Sequence, residues 1–189
     1  MARGRLSNVI AFDDAPFPRH HRGPVRIVGT VFADLRFDGV LMGEVEKDGA
    51  DAAESLTRLV ASSKFAGHAR LIMLQGVALG GFNVVDVFHI HRALKMPVLV
   101  VARRQPDMAA TERALRHHVP GGAEKWAIIE RIGPMEPAGN VWVQRVGLTP
   151  EQADSVVRRF SVHSNIPEPI RVAHLIAGAL SDGQSRGAP

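Results

Sequence analysis

Cysteine and tyrosine are both absent from this chain of 189 residues. Without cysteine there is no disulfide framework and no thiolate metal site, so any bound metal must use oxygen or imidazole ligands, and the expected address is cytoplasmic. Aromatic residues make up only 5% of the chain, too few for a surface that stacks many bases. No stretch approaches the ~20 apolar residues of a membrane span. The first ten residues carry Arg3 and Arg5 but lack the apolar run of a signal peptide, so no membrane partner is expected. Internal repeats are also missing, and the only low-complexity tract is the end of the chain, a flexible tail from about residue 182.

What is present fits one domain over residues 1–189, long enough to bury a full core. The formal charge is +4, and arginine supplies 19 of the 23 basic side chains. That balance favours an anionic partner without identifying it.

Alternating apolar residues from Asn8 to Phe12 predict a first strand, ended by the turn-rich run from Asp13 to Pro18. Residues 25–33 and 37–47 predict an antiparallel hairpin, with Asp38-Gly39 near its turn. Along the second of these strands Val40, Met42, Glu44 and Glu46 share a face, and Asp48 follows on that face if the extended backbone continues. A helix is expected over 51–62 with Asp51 as its cap, then a doubly buried strand ending at Gln75-Gly76. Residues 83–95 read as a helix and 97–102 as another buried strand, completing a βαβ unit. A helix over 108–118, strands over 126–132 and 141–146, and a helix from Thr149 to about Phe160 come next. Thr149-Pro150-Glu151-Gln152 is a full start signal for that helix, and a last helix begins near Pro169. Three meander strands followed by alternating helices and strands describe a mixed α/β sheet.

Ligands in open α/β sheets gather at the carboxyl ends of strands. Asp13 and Asp14 end the first strand, Asp48 follows the third, Gln75 ends the fourth, and Arg103 with Arg104 ends the fifth. If the first and fourth strands are neighbours, these groups share one pocket. Carboxylates brought together there would repel unless a hard cation such as magnesium or manganese sat between them, and the arginines would fork onto phosphates. Against this, aspartate before glycine or proline is a common turn former that bonds its own backbone. The run from Gly76 to Asp86 enters a helix through Gly80 and Gly81, so its amides would be able to meet a phosphate. The alternative is a tight connection in which Asn83 caps the helix and Asp86 lies in its first turn. His89 and His91 face different sides of that helix and make a poor metal pair.

The runs from Phe12 to Phe17, Lys47 to Ala52, Leu74 to Asp86, Pro97 to Val101 and Ile166 to His174 resemble the mainly archaeal family called domain of unknown function ninety-nine. That family is in turn similar to endonuclease V, a magnesium-dependent enzyme that cuts nucleic acid near deaminated purines on a ribonuclease-H-like fold. The resemblance implies that Asp13 matches the aspartate ending the first strand, that Asp48 falls near a glutamate ligand, and that Arg103 replaces a lysine. It places the third metal carboxylate on Gln75, an amide that adds no negative charge and cannot serve as a carboxylate base. Asp14 or Asp86 would have to compensate, and Gly81 stands near the place of a loop histidine.

The resulting expectation is a magnesium- or manganese-dependent hydrolase of DNA or RNA phosphodiester bonds. Its catalytic residues are Asp13, Asp48 and Arg103, its metal ligands Asp13, Asp14, Asp48 and Gln75, and its nucleic-acid contacts Arg103, Arg104, Gly80, Gly81 and Asn83. Two rival readings keep the same fold: a nucleic-acid-binding protein that has lost catalysis, and a structural or assembly module. The oligomeric state is left open.

Overall fold

The computed structural model describes residues 6–185. Strand β1 (Asn8–Asp14) is followed by β2 (Pro24–Ala33) and β3 (Arg36–Glu46), which turn back through Asp34 and Leu35, with Asp34 in the left-handed region at φ 56°. Then come α1 (Ala52–Ala61), β4 (Leu71–Gln75), a small β5 (Ala78–Leu79) and β6 (Asn83–Val84) pair, α2 (Val87–Leu94) and β7 (Val98–Ala102). The chain continues through α3 (Met108–His118), α4 (Gly122–Ile132), β8 (Glu136–Ala138), β9 (Val141–Val146), α5 (Pro150–Phe160) and α6 (Glu168–Asp182).

Seven strands form one mixed sheet in the order β3-β2-β1-β4-β7-β9-β8. β1 runs parallel to β4 and β4 parallel to β7, while β2, β3, β8 and β9 pair antiparallel. Side chains alternate across the sheet, so each strand feeds two cores. Ile10, Phe12, Ile72, Leu74, Val98 and Val100 pack with α1 and α2, whereas Val9, Ala11, Leu71, Met73, Leu99 and Val101 pack with α5 and α6. The buried threonine of β2, Thr30, donates its hydroxyl to the carbonyl of Pro169 at 2.6 Å and ties the start of α6 to the sheet. Among the described residues no helix is long and apolar enough to cross a membrane.

Two expected elements differ. Residues 126–132 are not a strand but the body of α4, because Trp126 and Ile129 are buried three apart beside Leu115 of α3, while Glu130 and Arg131 are exposed. A short apolar run does not separate helix from strand until its partner surface is known. The helix expected over 83–95 starts only at Val87. Asn83 and Val84 pair instead with Leu79 and Ala78, and the Asp86 carboxylate caps α2 by accepting the amides of Phe88 (3.0 Å) and His89 (3.1 Å). The short strand β8 lies in the expected Pro- and Gly-rich loop, at the sheet edge where Pro137 removes no ladder bond that the sheet needs. At the chain end, α6 reaches Asp182 and the Ser185 hydroxyl donates to the carbonyl of Leu175, while residues 186–189 of the expected tail lie outside the described residues.

Candidate active site at the carboxyl ends of β1, β4 and β7

The pairing of β1 with β4 brings their ends together. Phe12 pairs with Leu74, so Asp13 and Gln75 stand on the next rung, and Gln75 in turn pairs with Val101. By strand alternation Asp13, Gln75, Val101 and Arg103 fall on the face that α6 covers. Asp13 is 4% exposed. One of its oxygens accepts the Asp14 amide at 2.9 Å, and the other meets Nδ1 of His174 on α6 at 2.8 Å. A buried carboxylate survives only with such partners.

The hydrogen bond to Asp13 holds the His174 imidazole above its ordinary pKa, against the opposing effects of burial and of the Arg103 charge. Arg103 is therefore near enough to act on this cluster, and both it and Arg104 are exposed. Gln75 has a further peculiarity: its Oε1 is buried and has no hydrogen-bond partner. A buried carbonyl oxygen left unpaired costs about 1–3 kcal/mol. On a residue that the register sets across from a buried carboxylate, such an oxygen suits a hard cation.

Asp14 faces the other way. Its Oδ2 accepts the Gly80 amide at 3.0 Å, and burial, reinforced by the charge of Asp13, pushes its pKa up to about 6. Ionising Asp14 thus costs more in the folded chain than in the unfolded one. Its contribution to stability is complete below about pH 4 and is lost as the pH rises through about 6. Asp14→Asn, which keeps an acceptor for Gly80, is expected to raise stability by about 1–2 kcal/mol at pH 7.5, after allowing for partial solvent screening, with the gain vanishing near pH 4. Denaturant melts at the two pH values check this, and equal gains at both would contradict it.

Asp48 does not join Asp13. Its backbone leaves the β3 direction at φ 55°, so the shared face expected from Val40 through Glu46 stops before it. Its Oδ1 accepts the Phe82 amide at 2.8 Å, its own amide donates to the Gly80 carbonyl at 2.9 Å, and its carbonyl accepts Nζ of Lys125 at 2.6 Å. Asp48 lines a separate hollow of about 480 Å³ together with Asp86, Glu124 and Lys125, and neither Asp13, Asp14 nor Gln75 reaches it. Burial pushes the Lys125 ammonium down, partly offset by Asp48.

The glycine loop is likewise committed. Gly80 and Gly81 have φ of 62° and 85°, and a Cβ on Gly81 would stand 2.4 Å from the Asp48 carboxylate. With the amides of Gly80 and Phe82 already given to Asp14 and Asp48, those two amides are not free to cradle a phosphate. Asn83 is fully buried and contacts no solvent. Its Oδ1 accepts the Ala52 amide at 3.1 Å, and its Nδ2 donates to the Glu46 carbonyl at 2.9 Å and to Asp51 at 2.6 Å. It caps α1 from 31 residues away, whereas Asp51, at the cap position, makes no side-chain cap bond and binds the Glu46 amide instead. Asn83 is thus a structural clasp rather than a nucleic-acid contact.

A family model described as endonuclease dU matches residues 5–181 of this sequence. The chain belongs to the endonuclease dU family. A UPF0215 family protein of Deinococcus radiodurans is 49% identical over 183 residues, covering 97% of this chain and 93% of that one. The solved structure of a protein of unknown function from Archaeoglobus fulgidus superposes with a TM-score of 0.84 at 35% identity, covering 92% of this chain and 97% of that chain. Endonuclease V of Ciona intestinalis, bound to DNA containing an inosine, superposes with a TM-score of 0.56 at 12% identity, covering 89% and 83%. That likeness confirms the endonuclease V type of fold expected from the sequence.

Within this family member, the structure brings together Asp13, Gln75 and Arg103, sets Asp14 beside them on the opposite face, and leaves Asp48, Asn83 and Asp86 to other duties. Among the described residues, no three of His, Asp and Glu gather as a set able to hold a metal. The fit to a cation therefore rests on two oxygen donors, Asp13 and Gln75. Magnesium commonly takes one or two protein ligands and completes its shell with water and phosphate oxygens. Sequence reasoning missed His174 as a site residue. The signal was its place in α6 beside the sheet-facing Ile170, Ala173 and Ala177, which is informative only once α6 is known to cover β1.

Proposed function

We propose that this chain is a divalent-metal-dependent endonuclease acting on nucleic acid next to a deaminated base, with deoxyuridine as the first candidate. The observation that carries the reading is the buried Asp13 carboxylate, gripped by His174, on the same β1–β4 rung as Gln75 with its unpartnered Oε1. The family description, endonuclease dU, and the inosine-containing DNA bound by the endonuclease V neighbour support the choice of substrate.

Asp13 and Gln75 would hold the cation, which supplies charge stabilisation at the phosphoryl oxygens and an activated water. Arg103 and Arg104 receive neighbouring phosphates by forked hydrogen bonds. His174, with Nδ1 committed to Asp13, has Nε2 left to give or take a proton at the scissile phosphate. The amide of Gln75 brings no charge, so cation affinity is lower than an all-carboxylate site would provide. That deficit, with the Asp48 carboxylate engaged by Phe82, favours as second reading a nucleic-acid-binding protein of the same fold with weakened catalysis.

The test is incubation of purified protein with oligonucleotides carrying deoxyuridine, deoxyinosine or no altered base, as DNA and as RNA, with magnesium or manganese. Cutting near the altered base that stops on chelation is the expected result. No cutting of any strand, with salt-sensitive retardation retained, leaves the binding reading. Loss of retardation as well leaves the assembly reading.

A further inference from the structure

The loop over residues 16–23 joins the end of β1 to the start of β2, and so lies at the same sheet edge as Asp13 and Asp14. Four consecutive positions in it are basic or imidazole: Arg19, His20, His21 and Arg22. Such a run on a loose loop would be a solvated tip. Here the backbone is fastened from inside. Nζ of Lys47 donates to the carbonyls of Arg19 at 2.7 Å and His21 at 3.1 Å. The His21 amide closes a turn onto the Pro18 carbonyl at 2.9 Å, and its Nε2 donates to the Pro24 carbonyl at 2.9 Å. The Phe17 ring packs 5.7 Å from the His21 ring and 5.8 Å from the Lys47 ammonium.

Because the loop is held through its backbone, its arginine heads stay uncommitted. Arg19 and Arg22 are exposed, and neither forms an ion pair among the described residues. Arg36, Arg116, Arg158, Arg159 and Arg171, by contrast, are each paired with a carboxylate. We propose that Arg19 and Arg22 form a contact surface for the phosphate backbone of the nucleic acid presented to the Asp13 edge, an inference that rests on the nuclease-like reading above. Carboxylates at that edge repel a polyanion, so cations beside them must supply the attraction. A preformed loop loses little conformational freedom when it binds, and guanidinium forks match phosphate geometry.

The experiment measures binding of a plain duplex oligonucleotide across a salt series for wild type, for the double variant Arg19→Ala/Arg22→Ala, and for Arg58→Ala/Arg92→Ala. The last pair removes the same charge from exposed, unpaired arginines in the final turns of α1 and α2. Losing two phosphate contacts should lower the slope of log affinity against log salt by about 2 and weaken binding about tenfold or more near 0.1 M salt. The melting temperature of the double variant should stay as in wild type, because neither guanidinium forms an ion pair among the described residues, and the control pair should bind as wild type does. A double variant with wild-type affinity and slope overturns the proposal, as does a control pair that loses just as much. If the wild-type protein itself shows no salt-dependent binding, the nuclease-like reading falls with it.

Discussion

Asp13→Asn is expected to lose at least about 1,000-fold in cleavage, roughly 4 kcal/mol of transition-state stabilisation, while the protein stays folded. The near-isosteric amide keeps an oxygen for the Asp14 amide, so the local backbone has no reason to move. What disappears is the negative charge. Among the described residues it is the carboxylate bonded to His174, and the strand register sets it across from Gln75, whose Oε1 has no partner. His174 should therefore titrate lower in the variant, because the hydrogen bond that raises its pKa has lost its anionic acceptor.

Sign matters here. In wild type the His174–Asp13 pair contributes stability below the ordinary imidazole pKa of about 6.5, and loses it as the pH rises through the raised value. The stability that wild type draws from this pair should accordingly vanish above that range, where the variant is also spared the repulsion between Asp13 and an ionised Asp14. Imidazole proton shifts followed by nuclear magnetic resonance, beside single-turnover cleavage, check both parts. A variant that cuts within about tenfold of wild type would remove Asp13 from the catalytic machinery.

Asn83→Ala should cost about 3–4 kcal/mol, a drop of about 10 °C in melting temperature for a chain of this size. Three hydrogen bonds are lost at once, and the truncation strands the Ala52 amide, the Glu46 carbonyl and one face of the Asp51 carboxylate in surroundings that water does not reach at Asn83. The clasp joins the end of β3, the start of α1 and the β5–β6 loop that carries Gly80 and Gly81. Loosening it should therefore free the Asp14 and Asp48 contacts to that loop as well. Asn83→Asp retains a cap acceptor for Ala52 but sets a second negative charge 2.6 Å from the Asp51 oxygen position, so it should not rescue stability at neutral pH. Denaturant unfolding measures the loss. A cost below about 1 kcal/mol would mean that water replaces the clasp.

Both effects depend on residues whose duties were unequally readable. Asp13 was visible because a strand of alternating apolar residues stops at it, and strand ends are where ligands gather. The three meander strands, the buried strand ending at Gln75, the helix starting at Thr149 with its full capping box, and the mixed sheet were readable on the same footing, since each is written in local periodicity and turn chemistry. The helix α4 is not legible in the same way, because its apolar run is too short for period alone to separate helix from strand. Sequence spacing suits Asn83 to a cap of the next helix or a phosphate contact, whereas its partners sit 31, 32 and 37 residues earlier.

The amino-acid sequence by itself determined the order and character of most elements, the absence of thiolate chemistry, and the placing of Asp13, Gln75 and Arg103 at strand ends. Local pattern is enough for that, because a strand's period and its breakers are properties of neighbours in the chain. Only the tertiary structure decided that His174 grips Asp13, that Asp48 turns away into its own hollow, and that the oxygen of Gln75 is left without a partner. Those outcomes depend on which surfaces meet after the sheet is assembled and α6 closes over β1, and no spacing along the chain encodes a contact across 161 residues.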